Sequence, residues 1–413
     1  MSKPIFAVSC PIDTYSGYGA RSRDLVNAII QSDKYEVQIL SQRWGNTRFG
    51  YLQDHGDTTL SSRVIAKLEG QPDIWMQITV PNEFQRVGKY NIGCTAGMET
   101  TVVAPQWIEG CNRMDFLLTS SKHSKNVFKD TTYDIKDKDQ KFVNTLKLEK
   151  DIEVLFEGVD TEKYKTVKST LDLSSIKEQF CYLSIGHWMQ GDQGEDRKNL
   201  GFTVKAFLES FKNKATPPAL ILKTQQVGSS IMDQGKILEK INKIRATVKG
   251  KLPNIYLLHG DLSDDNINQL YNHPKVKVML SLAKGEGFGR PLLEFTTTGK
   301  PIIASGWSGQ IDFLNPDMSL LVGGILTPVH PSAQVKDMIL AESKWFTPDP
   351  IDVGKKLRDS FKHYKKFVSS SKRQKRRTLN EFTYEHMATK IDNILDERIP
   401  KFPKLVPLKL PEL

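Results

Sequence analysis

The stretch Leu280-Ser-Leu-Ala-Lys-Gly-Glu-Gly-Phe-Gly-Arg-Pro-Leu-Leu-Glu294 decides the fold. An apolar run that reads as a strand gives way to three alternating glycines, then to a proline at a helix start, then to a helical pattern. Gly285, Gly287 and Gly289 let backbone approach a partner closely, and the unpaired N–H groups of a helix opening at Arg290–Pro291 form an anion site that suits a diphosphate. Glu286 and Glu294 lie eight residues apart, roughly 12 Å along a straight helix. That is too far to share a proton and is suited to two sets of sugar hydroxyls on either side of a phosphate group.

Outward from this segment the chain alternates short apolar runs with amphipathic stretches, the rhythm of parallel α/β folds. Strands are predicted at 5–10, 37–41, 74–79, 90–95, 116–120 and 154–157, with helices near 19–31, 62–69, 105–113 and 121–129. A second series of strands follows at 181–186, 220–223, 255–259, 276–282, 302–305 and 320–322. The polar, strand-poor stretch 161–178 separates the two. The expected organisation is an N-terminal Rossmann-like domain over 1–172 and a second Rossmann-like domain over 173–378. A C-terminal helix and Pro/Lys-rich tail over 379–413 would pack back on the first. Two doubly wound halves of this kind face each other across a cleft, where ligands of open α/β sheets bind.

The Glu-x7-Glu arrangement, with Gly299-Lys-Pro-Ile-Ile-Ala-Ser and Trp307-Ser-Gly after it, resembles the donor-binding signature of retaining GT-B glycosyltransferases of the family-four group. Ser16-Gly17-Tyr18-Gly19-Ala20, Met98-Glu99-Thr100 with Pro105 and Trp107, Phe156-Glu-Gly-Val-Asp160 and Arg197-Lys198-Asn199 resemble further segments of that family, in order and spacing. The resemblance implies an α/β GT-B fold and a retaining transferase that uses a nucleotide sugar, with a UDP-sugar expected and no metal or other cofactor. It implies that Glu286 meets the transferred sugar and Glu294 the nucleotide ribose, and that Phe288, Gly287 and Gly289 meet the phosphates. Lys198 and Arg197 would neutralise the leaving diphosphate, where charge develops in the transition state. Gly17 and Gly19 would close over the phosphates from the other domain, and Leu262 would lie near the base. Two departures concern His187, where many members carry arginine, and Glu99, the nearest polar candidate where many carry histidine. His187 reads equally as a phosphate contact and as a satisfied structural histidine.

Other chemistries find little support. Asp137-Lys-Asp139 has metal-site spacing but lies in a lysine-rich stretch with no strand before it, and reads as solvated loop. Gly17-x-Gly19 lacks the third glycine and the acidic residue that a dinucleotide site requires, and no Walker A sequence occurs. Cys10, Cys94, Cys111 and Cys181 show no paired spacing and read as reduced core thiols. No apolar stretch approaches the length of a membrane span, and the N-terminal segment does not read as a signal peptide, so a cytoplasmic protein is expected.

The 413 residues carry 58 Lys+Arg against 48 Asp+Glu. Residues 343–413 alone hold 17 against 9, so most of the excess is C-terminal. Within it, Lys362, Lys365, Lys366, Lys372, Arg373, Lys375, Arg376 and Arg377 form the kind of basic stretch that meets a phosphate backbone, an anionic membrane surface, or only water. The loop Gln42-Arg43-Trp44-Gly-Asn-Thr-Arg48-Phe49-Gly-Tyr51 interleaves basic and aromatic residues. Arg43, Trp44, Arg48, Phe49 and Tyr51 are therefore candidate acceptor contacts, since aromatics stack on bases while arginines hold phosphates. With the opening Pro11-to-Arg21 segment this loop is similar to glycosyltransferases of T-even-like phages, which implies a hydroxylated cytosine of DNA as acceptor. A saccharide or membrane glycolipid acceptor is the alternative enzyme reading. A noncatalytic nucleic-acid-binding protein on the same scaffold is the alternative of another class, and the intact Glu286, Glu294 and Lys198 speak against it.

Overall fold

The computed structural model describes residues 3–191, 194–226 and 230–402; the tail expected beyond Phe402 lies outside the described residues. The first half contains β1 (Ile5–Cys10), α1 (Gly17–Gln31), β2 (Glu36–Ser41), the single turns α2 (Tyr51–Asp54) and α3 (Thr58–Ser61), β3 (Ile74–Ile78) and β4 (Tyr90–Thr95). It continues through α4 (Pro105–Asn112), β5 (Phe116–Thr119), α5 (Lys122–Asp130), the antiparallel hairpin β6 (Tyr133–Lys136) and β7 (Phe142–Leu146), and β8 (Ile152–Val154). Six of these strands form a parallel sheet in the order β2-β1-β3-β4-β5-β8.

The second half holds β9 (Cys181–Ile185), α6 (Leu200–Phe211), β10 (Ala219–Lys223), α7 (Ile231–Ala246), β11 (Ile255–Leu258), α8 (Asp264–Asn272) and β12 (Val276–Ser281). After them come α9 (Arg290–Thr296), β13 (Ile302–Ser305) and β14 (Leu320–Val322), completing a second six-stranded parallel sheet in the order β11-β10-β9-β12-β13-β14. A two-stranded antiparallel hairpin, β15 (Gly324–Pro328) and β16 (Lys344–Pro348), leads to α10 (Pro350–Lys362), α11 (Tyr364–Glu381) and α12 (Tyr384–Arg398). The expected α/β class with two doubly wound sheets is observed.

Strands such as β3, IWMQI, are buried along their whole length, which is why they read as continuous apolar runs. The last helix crosses back: Met387, Ile391, Ile394 and Leu395 are buried in the same core as Leu25 and Ile29 of α1. Each such side chain withdrawn from water contributes about 1.5–3 kcal/mol, so the apolar stripe of α12 is enough to fix it there.

Several expectations differ locally. Residues 62–69 form no helix, because Asp57 caps α3, with the Leu60 N–H donating to its carboxylate at 3.0 Å, and the chain then runs extended. The Ile39 N–H donates to Arg63 O and the Ile65 N–H to Ile39 O, both at 2.9 Å, so this segment bridges to the edge strand. Asp137 and Asp139 do lie in an exposed loop, the turn between β6 and β7, where the Asp137 carboxylate accepts from the Asp139 and Lys141 N–H groups. The polar connection 161–178 contributes Tyr164, Leu173 and Ile176 to the second core.

Candidate functional site

The glycine loop after β12 meets the first domain end-on. A side chain at Gly285 would collide with the Glu99 carbonyl and one at Gly287 with the Ala96 carbonyl, while Ser120 Oγ donates to Gly287 O at 3.0 Å. In this structure the two glycines thus serve the junction of the domains. Gly289, at φ 103° and ψ 45°, is the left-handed cap of α9, and no side chain caps that helix start. Phe288 is buried against Phe313 at 5.0 Å between ring centres.

Four charged groups converge where the sheets face each other. Glu286 Oε1 lies 2.5 Å from Lys198 Nζ, and Glu286 Oε2 lies 3.3 Å from Arg197 Nη1, which also stands 3.5 Å from Glu99 Oε1 across the cleft. Backbone ties fix the basic pair beside the loop: the Lys284 N–H donates to Arg197 O at 2.8 Å, and Asn199 Nδ2 donates to Leu282 O at 3.0 Å. Asn199 itself sits at φ 54°, a left-handed geometry that asparagine tolerates better than most residues. On the other side, Ser308 Oγ accepts the Glu286 N–H at 2.9 Å from a backbone held at φ 68°. Burial pushes the Glu286 carboxyl up, and the Lys198 and Arg197 cations overcome it, holding the group below the usual carboxylate range. Burial lowers Lys198, helped by Arg197 and opposed by Glu286.

His187 stands at the end of β9 with part of its surface open to the cleft and its Nδ1 3.2 Å from Gln226 O; partial desolvation by its surroundings, with Lys198, Lys223 and Arg197 nearby, lowers its pKa. The side-chain stem of Lys198 passes Gly186 just before it.

Glu294 occupies a different room. A cavity of about 490 Å³ lies between the domains, walled by Gly17, Tyr51 and Arg23 on one side and by Leu262, Arg290 and Glu294 on the other. Glu294 accepts from Arg290 Nε at 3.1 Å and from Tyr271 OH at 3.2 Å. Burial, against the pull of Arg290, pushes its carboxyl up to about 7. Arg290 Nη1 also reaches Asp24 Oδ2 of α1 at 2.5 Å, a half-buried ion pair that bridges the cleft. Nothing in the local pattern points to this pair, because Asp24 reads as an ordinary helix acid. Gly19 does not reach the cavity: it packs on Thr14 and Pro11, where a side chain has no room.

The 42–51 loop zips onto the segment after β1, with the Tyr15 N–H donating to Arg48 O at 3.0 Å and the Gly50 N–H to Asp13 O at 2.9 Å. Trp44 stacks on Tyr18 at 4.0 Å, Arg43 lies over Phe49, and Arg48 lies over Tyr15 while pairing with Asp54 at 2.5 Å. Tyr51 departs from its neighbours and lines the 490 Å³ cavity under the Arg23 guanidinium. The basic stretch 362–377 runs along the end of α10 and α11. Arg373 donates to Asp317 O, Lys375 to Thr166 Oγ1, and Arg377 to Phe313 O and Asp312 O.

No protein-family model and no curated protein matches the chain. Solved structures do. A sucrose-phosphate synthase from Thermosynechococcus elongatus superposes with TM-score 0.62 at 11% identity over 96% of this chain and 98% of that one. A glycosyltransferase from Rickettsia africae gives 0.59 at 14% identity over 96% and 99%. The Anabaena HepE protein, solved with UDP-glucose, gives 0.58 at 11% identity over 95% and 100%. The chain has the GT-B fold. In that fold the Glu286 cluster and the Glu294 cavity both occupy the cleft between the Rossmann-like domains. Among the described residues no group of three or more His, Cys, Asp or Glu is placed to hold a metal, and no helix is long and apolar enough to cross a membrane.

Proposed function

We propose that this protein is a retaining glycosyltransferase that moves a sugar from a nucleotide sugar, a UDP-sugar first among them, to a hydroxyl acceptor without a metal ion. The observation that carries the reading is the Glu286–Lys198–Arg197–Glu99 cluster at the domain junction, beside a cavity of about 490 Å³ with Glu294 in its wall. Solved relatives in fold that hold UDP-glucose support the donor class.

In this reading the nucleoside occupies the Glu294 cavity, with its ribose hydroxyls donating to that carboxylate and its base near Leu262. The diphosphate lies over Phe288, Gly289 and the α9 start. Lys198 and Arg197 turn from Glu286 to the diphosphate as the bond from the anomeric carbon to the phosphate oxygen breaks and the electron pair leaves with the phosphate. Glu286 then accepts hydroxyls of the transferred sugar. The acceptor hydroxyl attacks on the face that the diphosphate leaves, and its proton passes to the departing phosphate oxygen.

For the acceptor we propose a hydroxylated cytosine of DNA, presented unpaired or flipped out beside the 42–51 loop, in the cytoplasm of the cell where that DNA is made. A saccharide or glycolipid acceptor is the second reading. It is favoured by the internal engagement of Arg43 and Arg48, which leaves those cations already stacked or paired.

Purified protein incubated with a panel of UDP- and GDP-sugars and hydroxymethylcytosine DNA, followed by mass spectrometry of the digested nucleosides, tests both halves. A nucleoside heavier by one sugar residue is expected. Transfer to a glycan or lipid with unaltered nucleosides would overturn the DNA acceptor, and no turnover of any nucleotide sugar would overturn the transferase.

A further inference from the structure

A second groove, of about 840 Å³, opens between the domains and is lined by Lys122, Lys125 and Lys129 of α5, by Lys390 of α12, and by Arg377 and Arg398. None of its residues lines the Glu294 cavity. Lys122, Lys125 and Lys129 are spaced i, i+3, i+7 and so share one helix face over about 10 Å. The acids of the groove are already committed. Arg398 holds Asp151 and Glu153 at 2.8 and 2.5 Å, Arg377 Nε holds Glu381 at 3.1 Å, and the Lys122 N–H donates to Asp312 at 2.8 Å. The four lysine ammoniums take no carboxylate among the described residues. Lys390 is half-buried over Phe156, with Glu153 and Asp312 as well as Lys122 and Lys125 among the charges around it. Like charges held together in a concave wall attract an anion that bridges them.

The groove also has aromatic surface. Phe156 and Phe382 lie in its wall edge to face at 5.2 Å, Phe156 beneath Lys390 and Phe382 beneath Arg377, so a base would stack there by displacing a cation that then meets its phosphate. It shares Lys122, Asn126, Asp312 and Arg377 with an adjoining cavity of about 510 Å³ that contains Trp307, whose ring is held edge-on by His123 at 4.5 Å. The residue after Trp307 is Ser308, which holds the Glu286 backbone. A basic track with aromatic platforms is the architecture that binds a single strand without sequence preference. A bilayer is flat, whereas these lysines stand on the inner walls of a groove.

We propose that this groove is a binding track for a single-stranded nucleic-acid backbone, gripped by Lys122, Lys125, Lys129 and Lys390 and leading to Trp307. The proposal deepens the DNA-acceptor reading above and rests on it for the identity of the polymer. It moves the main grip from the exposed α11 lysines to α5.

The test is fluorescence anisotropy with a labelled 12-nucleotide oligothymidylate over a salt series, for the wild type, K122E/K125E/K129E on α5 and K365E/K366E/K372E on α11. The α5 triple is expected to bind at least tenfold more weakly and to lower the slope of log affinity against log salt by about 2, since each single-strand phosphate contact contributes about 0.7. The α11 triple is expected to lose less than threefold. If the α5 triple fails to fold, the glutamine triple at the same positions must still weaken binding. Equal losses in both triples, or absence of binding by the wild type at 50 mM salt with retention on phosphatidylserine vesicles, would overturn the track. Acceptor-free hydrolysis of UDP-glucose by the wild type is measured in parallel. Hydrolysis without oligonucleotide binding sinks the track and leaves the donor site standing, whereas lysine-dependent binding without hydrolysis does the reverse.

Discussion

Glu286 and Glu294 are both buried carboxyls within one glycine loop and the helix it opens, yet they sit in opposite electrostatic states. Two cations from a single loop, Lys198 and Arg197, hold Glu286 below the usual carboxylate range. Glu294 has one cation, Arg290, which also serves Asp24, and burial wins, raising it to about 7. What separates them is the charges each faces, two cations for Glu286 against one shared cation and the Asp264 carboxylate for Glu294, since both are withdrawn from water. In the proposed reaction the Glu286 side keeps charge where a leaving group departs, and the Glu294 side holds neutral hydroxyls.

The largest expected effect follows from removing the charge at the first site. Glu286→Gln leaves Lys198 without its anion and Arg197 with Glu99 alone, and gives the transferred sugar a neutral amide oxygen in place of a carboxylate, so kcat for nucleotide-sugar turnover should fall about 10²–10³-fold. The nucleotide Kd, measured by calorimetry with UDP, should change less than threefold. An equal loss in Kd and kcat would mean that Glu286 binds rather than acts, and the contrast between the two acids would collapse.

A step smaller is Gly285→Ala. Its new methyl group meets the Glu99 carbonyl, so the loop must retreat from the first domain. Displacement of reacting groups by about 1 Å costs up to 10²-fold, and kcat should fall about 10–10²-fold while the protein stays folded by circular dichroism. A silent Gly285→Ala would show that the catalytic state does not use this domain contact.

Much of the fold was legible because the sheet strands are buried runs with turn residues at their ends, as in Ile5–Cys10 and Val276–Ser281. The β6–β7 hairpin was not, because its strands face water on both sides: Phe142 is 62% and Val143 59% exposed, so no alternation marks them. In the site, spacing paired Glu286 with Glu294, the family resemblance added Arg197 and Lys198, and the structure gathers Glu286 with the basic pair. The Asp24–Arg290 bridge and the Ser308 tether were illegible, since each joins residues more than twenty positions apart with ordinary local patterns. Gly19 shows the converse, a glycine singled out for ligand approach whose close neighbours are its own loop.

At the second site effects should be smaller and fall on binding. Glu294→Ala removes a hydroxyl acceptor remote from the reacting carbon and is expected to raise the UDP Kd about tenfold, the worth of a hydrogen bond to a charged group, with kcat at saturating donor within threefold. A fall in kcat comparable to that of Glu286→Gln would move Glu294 into the chemistry.

The finest test uses pH. Because burial raises the Glu294 carboxyl to about 7, the group is mostly protonated at pH 6 and mostly ionised at pH 8. If the carboxylate accepts ribose hydroxyls, affinity for UDP-glucose rises with pH across this window, by a few-fold and at most about tenfold. UDP-glucose is the right probe because its esterified diphosphate does not titrate there. The sign for stability is opposite: a raised acid favours the native state most below its unfolded pKa, near 4.5, and that contribution fades as pH climbs through 7. Glu294→Gln should flatten the affinity profile while leaving any pH dependence of kcat that arises near Glu286, whose carboxyl is held low. A rising profile that survives Glu294→Gln would place the titrating group elsewhere in the cleft and leave the two acids electrostatically alike.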